Sequence, residues 1–342
     1  MSIITHLIVE ETGAYVGKHQ GRLQVRKGRE ILRQAPLLHL EQVVVSGRAV
    51  SFSADAVAAC AGQGIPIYFI SFGGTPFASL YAAGLTGTVQ TRRAQLLAYT
   101  DRRGVILALA IASAKLKNQA ALLRYMAKYR KEREPELYQE LRLLVLEVED
   151  HLAELDKLDR FEQVDALRAE LMGLEGRAAQ KYWQGIKQAV EVGPEWPGRK
   201  GRGAKDPVNA ALNYGYGILY GQVEWAIVLA GLDPYAGFIH ADRPGKPSLV
   251  LDLIEEFRQP VVDRAVFALL NRGSAIKQDA QGLLTEETRQ LLVSKIFEKL
   301  DTPEKYGTKK VPLRVIIQNQ ARHLATFVRG DRERYRGFEV KW

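Results

Sequence analysis

The chain reads as an α+β protein: a small, mostly-β N-terminal domain over residues 1–88, followed by a larger all-α domain over 89–342. Three observations predict this. The first eighty residues alternate short β-branched or aromatic runs with glycines. After Val89 the apolar residues recur at helical spacing and glycine thins out. At 342 residues with 46% hydrophobic and 25% charged residues, the chain can bury more than one core.

The strand runs are HLIVEE, AYVGKHQGRLQV, QVVVSG and IPIYFISF. HQG between two of them marks a tight hairpin turn. One helix interrupts the strands from Ala54 to about Gln63, with Ser53 placed to cap it and Gly64 to end it. From Gln90 to about Arg133, residues such as Leu96, Leu97, Val105, Leu109, Ala112 and Leu116 follow a helical period, with a bend expected at Asp101–Gly104. Further helices are expected at about 135–158, 162–190, 206–231, 248–270, 286–300 and 313–329. Asp206 is placed to cap its helix with Pro207 in the first turn. No repeat of 20–50 residues is visible, which argues against a solenoid.

Composition narrows the function. The net charge of +9 raises the odds of a polyanionic partner such as nucleic acid. The single cysteine, Cys60, excludes an intrachain disulfide and lies in a small apolar setting expected to be buried and inert. No signal peptide is evident, and the longest apolar run, VILALAIA, is far short of a membrane span. A cytoplasmic protein without membrane association is expected. GxxxxGK[ST] and GxSxG are absent, and GRKGRG follows a helix instead of a strand, so nucleotide cofactors and serine-hydrolase chemistry lack support.

Two segments carry candidate chemistry. In FIHADRPGKPSLVLDLIEEFR, His240 precedes a basic loop, and Asp252, Glu255 and Glu256 interrupt an apolar helix. Spacings of three and four let all three acids share a side. They read either as a solvated acidic edge with salt bridges or as half of a site for a hard divalent cation. Glu175 lies between Gly173 and Gly176 in AELMGLEGRAAQKYW; these glycines either admit another backbone closely or loosen the helix. The loop from Glu191 to Asn209 concentrates Arg199, Lys200, Arg202 and Lys205, either as a solvated linker or as a phosphate grip. Tyr182, Trp183, Tyr214 and Tyr216 are candidates for base stacking or for the core. Arg124, Lys128, Arg130, Lys131 and Arg133 form a separate basic stretch, a DNA-backbone contact or a solvated face.

Taken together, GLEG around Glu175, the basic loop, and the run DPVNAALNYGYGILYGQVEWAIVLAGLDPYAGFIHADRPGKPSLVLDLIEEFRQPVVD closely resemble the signature region of the CRISPR-associated integrases of spacer acquisition, the Cas1 family. IIQNQARHLATFVRG resembles that family's last helix. The resemblance implies a DNA integrase and endonuclease that inserts short foreign DNA into a CRISPR array by 3′-hydroxyl attack on a repeat phosphodiester. It implies a divalent metal, Mg2+ or Mn2+, held by Glu175, His240 and Glu255, with His240 either ligand or proton carrier and Asp252 a further acid near the site. Glu256 matches no ligand position and is expected to be solvated. Arg199, Lys200, Arg202, Lys205, Arg243, Lys246 and Tyr214 become candidate DNA contacts. Expected partners are double-stranded prespacer DNA with single-stranded 3′ ends, CRISPR repeat DNA, a second copy through the β domain, and a small ferredoxin-like partner, Cas2. The alternative is a non-catalytic basic DNA-binding scaffold, which has no need of the metal constellation.

Overall fold

The computed structural model describes residues 5–82, 89–190, 196–201 and 203–342. Eight strands occupy the first part: β1 (His6–Val9), β2 (Tyr15–His19), β3 (Arg22–Lys27), β4 (Glu30–Pro36), β5 (Gln42–Val45), β6 (Ser51–Phe52), β7 (Ile67–Ile70) and β8 (Pro76–Leu80), with α1 (Ala54–Gly62) between β6 and β7. They form two four-stranded sheets, in the orders β1-β5-β7-β8 and β4-β3-β2-β6. In the first sheet β1, β5 and β7 are parallel and β8 runs against β7.

The β2–β3 hairpin turns on Gln20 and Gly21, both at positive φ (43° and 73°), as a two-residue turn matched to strand twist requires. Ser53 caps α1 by accepting from Ala56 N at 3.1 Å. Cys60 is buried, and that burial pushes its thiol up to about 11. Strands β4, β6 and β8 were not foreseen. RKGREILRQAP is too charged to alternate cleanly, and β6 is a two-residue pairing that β2 supplies.

The helical part contains α2 (Val89–Ala98), α3 (Arg102–Lys128), α4 (Pro135–Lys157), α5 (Val164–Ala189), α6 (Pro207–Leu229), α7 (Ser248–Leu253), α8 (Arg264–Leu270), α9 (Glu286–Leu300) and, after the hairpin β9 (Pro303–Tyr306) and β10 (Lys309–Pro312), α10 (Leu313–Val328). The expected bend near Asp101 is the break between α2 and α3, where Asp101 accepts from Arg103 N. Leu96 and Leu97, expected on the buried stripe, are exposed, while Val105, Ala112 and Leu116 are buried as the period predicts. Asp206 caps α6 through Asn209 N at 2.8 Å, with Pro207 following.

The predicted helix over 248–270 is not continuous. It is α7, a tight 3₁₀ turn at Ile254–Glu256, a wide π-type segment at Arg258–Asp263, and α8. Such irregular stretches collect at functional sites because they re-aim side chains.

Pleat alternation joins the two parts. Val43 and Val45 of β5 face the core between the sheets, while Val44 faces the helical core. Tyr68 and Ile70 of β7 join the helical core likewise. A sheet covered on both faces explains the unbroken QVVV. Glycine makes the closest approach possible: a Cβ on Gly217 of α6 would lie 1.6 Å from the Gly74 carbonyl oxygen.

Among the described residues, α3 is long and apolar enough to cross a membrane by length and composition, contrary to the reading of VILALAIA as too short. Of that apolar window, 61% is buried inside the fold, as in the core helix of a packed domain.

Candidate active site

The middle of α3, the middle of α5 and the segment after α7 meet around one lysine. Lys115 interrupts the apolar run of α3, and its Nζ lies 3.2 Å from Glu175 Oε1 and 3.1 Å from Glu255 Oε2. Arg258, a turn beyond Glu255, approaches its other oxygen at 3.2 Å. All of these groups are largely withdrawn from solvent, with Glu175 9% and Glu255 4% exposed. Burial by itself would raise the Glu255 carboxyl, but Arg258 and Lys115, with help from His240, outweigh it and hold Glu255 down to about 2. Burial likewise would lower the Lys115 ammonium, and Glu175 and Glu255 more than reverse this, so its pKa is raised.

Asp252 is fully buried and works on the loop that carries His240. Its Oδ2 accepts from Phe238 N at 2.5 Å and Ile239 N at 3.0 Å, and its Oδ1 accepts from His240 N at 3.0 Å. The same Oδ1 lies 2.8 Å from His240 Nδ1. A carboxylate only accepts, so Nδ1 carries the proton and Nε2 keeps its lone pair for another partner. Gly237 permits this packing, since a Cβ there would stand 2.7 Å from Asp252 Oδ2. Asp252 is therefore a positioning residue for His240 and its loop.

Glu256 is corrected: it is not solvated but fully buried. It accepts from Tyr335 Oη at 2.6 Å, Gln320 Nε2 at 2.8 Å and Phe338 N at 2.8 Å. Burial raises its carboxyl to about 7 against those hydrogen bonds. The three acids do not share a side. Asp252 faces the His240 loop, Glu255 faces Lys115, and Glu256 faces the C-terminal segment, because the 3₁₀ turn rotates each away from its neighbour.

For Gly173 and Gly176 the structure removes one of the two alternatives, close approach of another backbone. A Cβ on Gly176 would meet nothing within 4 Å, and one on Gly173 only Arg177 Nη1 at 3.8 Å, so no other element approaches there. Tyr214 is corrected as a DNA contact: its side chain is fully buried, and α6 sits there against the Gly74 backbone. Tyr182 and Tyr216 are buried too and donate their hydroxyls to Asp263, the former at 2.6 Å.

The basic candidates occupy different settings. Arg199 donates to Asn213 Oδ1 at 2.8 Å and stacks over Tyr216, with 5.3 Å to the ring centroid. Arg258 stacks on the same ring at 4.8 Å, which ties the basic loop to the site. Lys200 and Lys205 are exposed, Arg202 lies outside the described residues, and Arg243 and Lys246 pair in a short turn after His240.

Lys115 was missed. The signal was present in IASAKLKNQAALL, where a lysine on a buried helix needs an acidic partner. Which acid it meets is a long-range fact.

The donor types suit a hard cation, while Lys115 stands between the two carboxylates. Glu175 Oε1 and Glu255 Oε2 are buried, and both meet the Lys115 ammonium as ion-pair partner. Oxygen donors with one imidazole nitrogen suit Mg2+ or Mn2+. In this arrangement the lysine holds the central positive charge. Among the described residues, no three His, Cys, Asp or Glu side chains are grouped closely enough to hold a metal ion.

Residues 7–298 match the family model described as CRISPR associated protein Cas1. The CRISPR-associated endonuclease Cas1 1 of Archaeoglobus fulgidus is 39% identical, over 98% of this chain and 99% of the relative. Two solved structures share the fold at 21% identity. One is a casposase bound to integration product, with TM-score 0.82, covering 99% of this chain and 96% of the other. The other is a Cas6-RT-Cas1–Cas2 complex, with TM-score 0.74, covering all of this chain and 37% of that chain. The chain belongs to the CRISPR-associated Cas1 family.

Proposed function

We propose that the chain is a divalent-metal-dependent DNA integrase that joins a DNA 3′-hydroxyl to a phosphodiester of CRISPR repeat DNA. The observation that carries this is the convergence of two buried carboxylates, Glu175 and Glu255, on one positive charge beside the His240 loop. Family membership supports the nucleic-acid chemistry, since the Archaeoglobus relative is named an endonuclease.

Glu175, Glu255 and Nε2 of His240 would hold the metal. When bound, Mg2+ or Mn2+ would polarise the phosphoryl group and offset charge on the attacking and leaving oxygens. Asp252 keeps the His240 ring in the tautomer that presents Nε2. Lys115, which spans the two carboxylates here, would be available to a DNA phosphate once a metal took its place. Arg258 and Arg199, spaced by the Tyr216 ring, add positive charge, and exposed Lys200, Lys205 and Arg243, with half-buried Lys246, extend it outward.

The substrates in this reading are prespacer DNA with single-stranded 3′ ends and CRISPR repeat DNA. A second copy docks through the β part, residues 1–88 forming that domain and 89–342 the catalytic one. A Cas2 partner is included because the same fold occurs in a Cas1–Cas2 complex.

The test is joining of a 3′-hydroxyl oligonucleotide into a repeat-bearing plasmid. Glu175→Ala, His240→Ala and Glu255→Ala each lower Mg2+-dependent joining by at least about 1,000-fold and weaken Mn2+ binding by at least about tenfold in calorimetry. Undiminished Mg2+-dependent joining in these variants overturns the assignment.

A further inference from the structure

A second basic and aromatic cleft lies where α3 ends and α4 begins, closed on one side by residues 340–342. From Lys115 it is roughly 20 Å along α3 to Lys128, at 1.5 Å per residue. The cleft encloses about 1340 Å³, room for roughly three or four nucleotides.

Five of its seven lining cations, Arg142 and Lys341 aside, fall into two groups. Arg124 is paired with Glu149 at 2.5 Å, and Arg264 reaches Glu304 at 3.3 Å. Arg264 is also held between the rings of Tyr125 and Trp342, at 4.6 and 4.3 Å from their centroids. These two build the walls. Lys128, Lys131 and Arg133 line the same cleft, are exposed, and have no ion pair among the described residues. Glu132 and Glu134 are interleaved with them, and Glu134 lies 3.8 Å from Arg130. Three neighbouring cations without partners repel one another, an arrangement that polyanion binding relieves.

The aromatic side is equally unfinished. Tyr129 is 63% exposed, yet its orientation is set by edge contact with Tyr125, ring centroids 5.2 Å apart, and by hydroxyls 3.4 Å apart. A preset aromatic face between Lys128 and Lys131 matches what an unpaired base and its flanking phosphates require. A duplex offers no free base face to such a ring.

We infer that this cleft is a second nucleic-acid site, separate from the metal site, which holds a short single-stranded stretch by stacking a base on Tyr129 and setting phosphates on Lys128, Lys131 and Arg133. The cleft takes strand that lies away from the reacting end, so it governs affinity and leaves the chemistry to Glu175 and Glu255.

The experiment is fluorescence anisotropy of a labelled oligothymidylate of about ten nucleotides in EDTA, titrated across salt concentrations. Replacing Lys128, Lys131 and Arg133 together by alanine weakens binding at least about tenfold and reduces the log–log salt slope by about 2, at roughly 0.7 per phosphate contact. Tyr129→Ala weakens binding about fivefold with the slope unchanged. Lys309→Ala, at an exposed lysine of β10 outside both sites, leaves both quantities unaltered. Parent-like binding by the triple variant overturns the inference, leaving the cleft to a protein partner or to solvent. A loss equal to that of the triple variant when Lys200 and Lys205 are instead replaced by alanine also overturns it, by placing the strand at the loop beside the metal site. Displacement of the oligonucleotide by thymidine monophosphate at similar concentration overturns the strand reading in favour of a mononucleotide pocket. All four cleft substitutions are at exposed positions, and unchanged thermal melts separate loss of binding from loss of fold.

Discussion

Glu255 and Glu256 are adjacent in the chain, both buried, and opposite in electrostatic setting. Glu255 faces Lys115 and Arg258 and is held down to about 2. Glu256 faces only neutral donors, Tyr335, Gln320 and the Phe338 amide, and is pushed up to about 7. Desolvation penalises both; a nearby full positive charge offsets it and three neutral hydrogen bonds do not. One pocket is thus kept ionised for a cation. The other fastens the last residues of the chain, where Phe338 also stacks on Phe257 with centroids 5.6 Å apart and Asn118 bridges Glu256 O and Phe338 O.

The strongest way to break this contrast is to remove the positive charge from the first pocket. Lys115→Met leaves Glu175 and Glu255 facing each other without it and costs about 3 kcal/mol of stability. Millimolar Mn2+ restores part of the lost melting temperature in Lys115→Met and raises the parent less. Equal melting temperatures for variant and parent without metal would show that the lysine is not what compensates the carboxylates.

Asp263 sharpens the contrast, because it repeats the Glu256 situation farther along the same segment. It is fully buried, accepts from the Tyr182 and Tyr216 hydroxyls, and burial raises it to about 6. A carboxyl raised in the folded state binds its proton more tightly there than in the unfolded chain. Its contribution is therefore fully present below the ordinary value near 3.8 and is lost as pH rises through 6, a span of about 3 kcal/mol. Asp263→Asn flattens stability against pH between about 4 and 6, read by urea melts at a series of pH values. A parallel offset without change of slope would refute the raised pKa.

The smallest effect is expected from Glu256→Gln. The amide sets an N–H against one of three donors and costs about 1–2 kcal/mol. Hydrogen exchange at the Phe338 and Val340 amides accelerates, while Mn2+ affinity stays at the parent value. A loss of Mn2+ affinity comparable to that of Glu255→Ala would merge the two pockets into one.

Much of this molecule was legible locally. The β-then-α order, the Ser53 and Asp206 caps, the HQG hairpin and the α2–α3 break follow from turn chemistry and periodicity within a few residues. Glu175, His240 and Glu255 were found by resemblance of long motifs, since pattern alone favoured an ordinary structural role for each of them. Strands β4, β6 and β8 were not legible, because an edge or two-residue strand takes its register from a partner and not from its own alternation.

By itself the sequence determined the β-then-α order, most of the helices, the strands β1, β2, β3, β5 and β7, that the chain is basic, and which motifs belong together. Only the tertiary structure decided what each buried charge meets. Helical spacing placed Asp252, Glu255 and Glu256 on one face, yet a 3₁₀ turn and a π-type segment send them to a histidine loop, a lysine of α3 and the C-terminal residues. The physical reason is that periodicity is a property of neighbouring dihedrals, whereas the state of a buried carboxylate depends on charges and donors brought from distant parts of the chain.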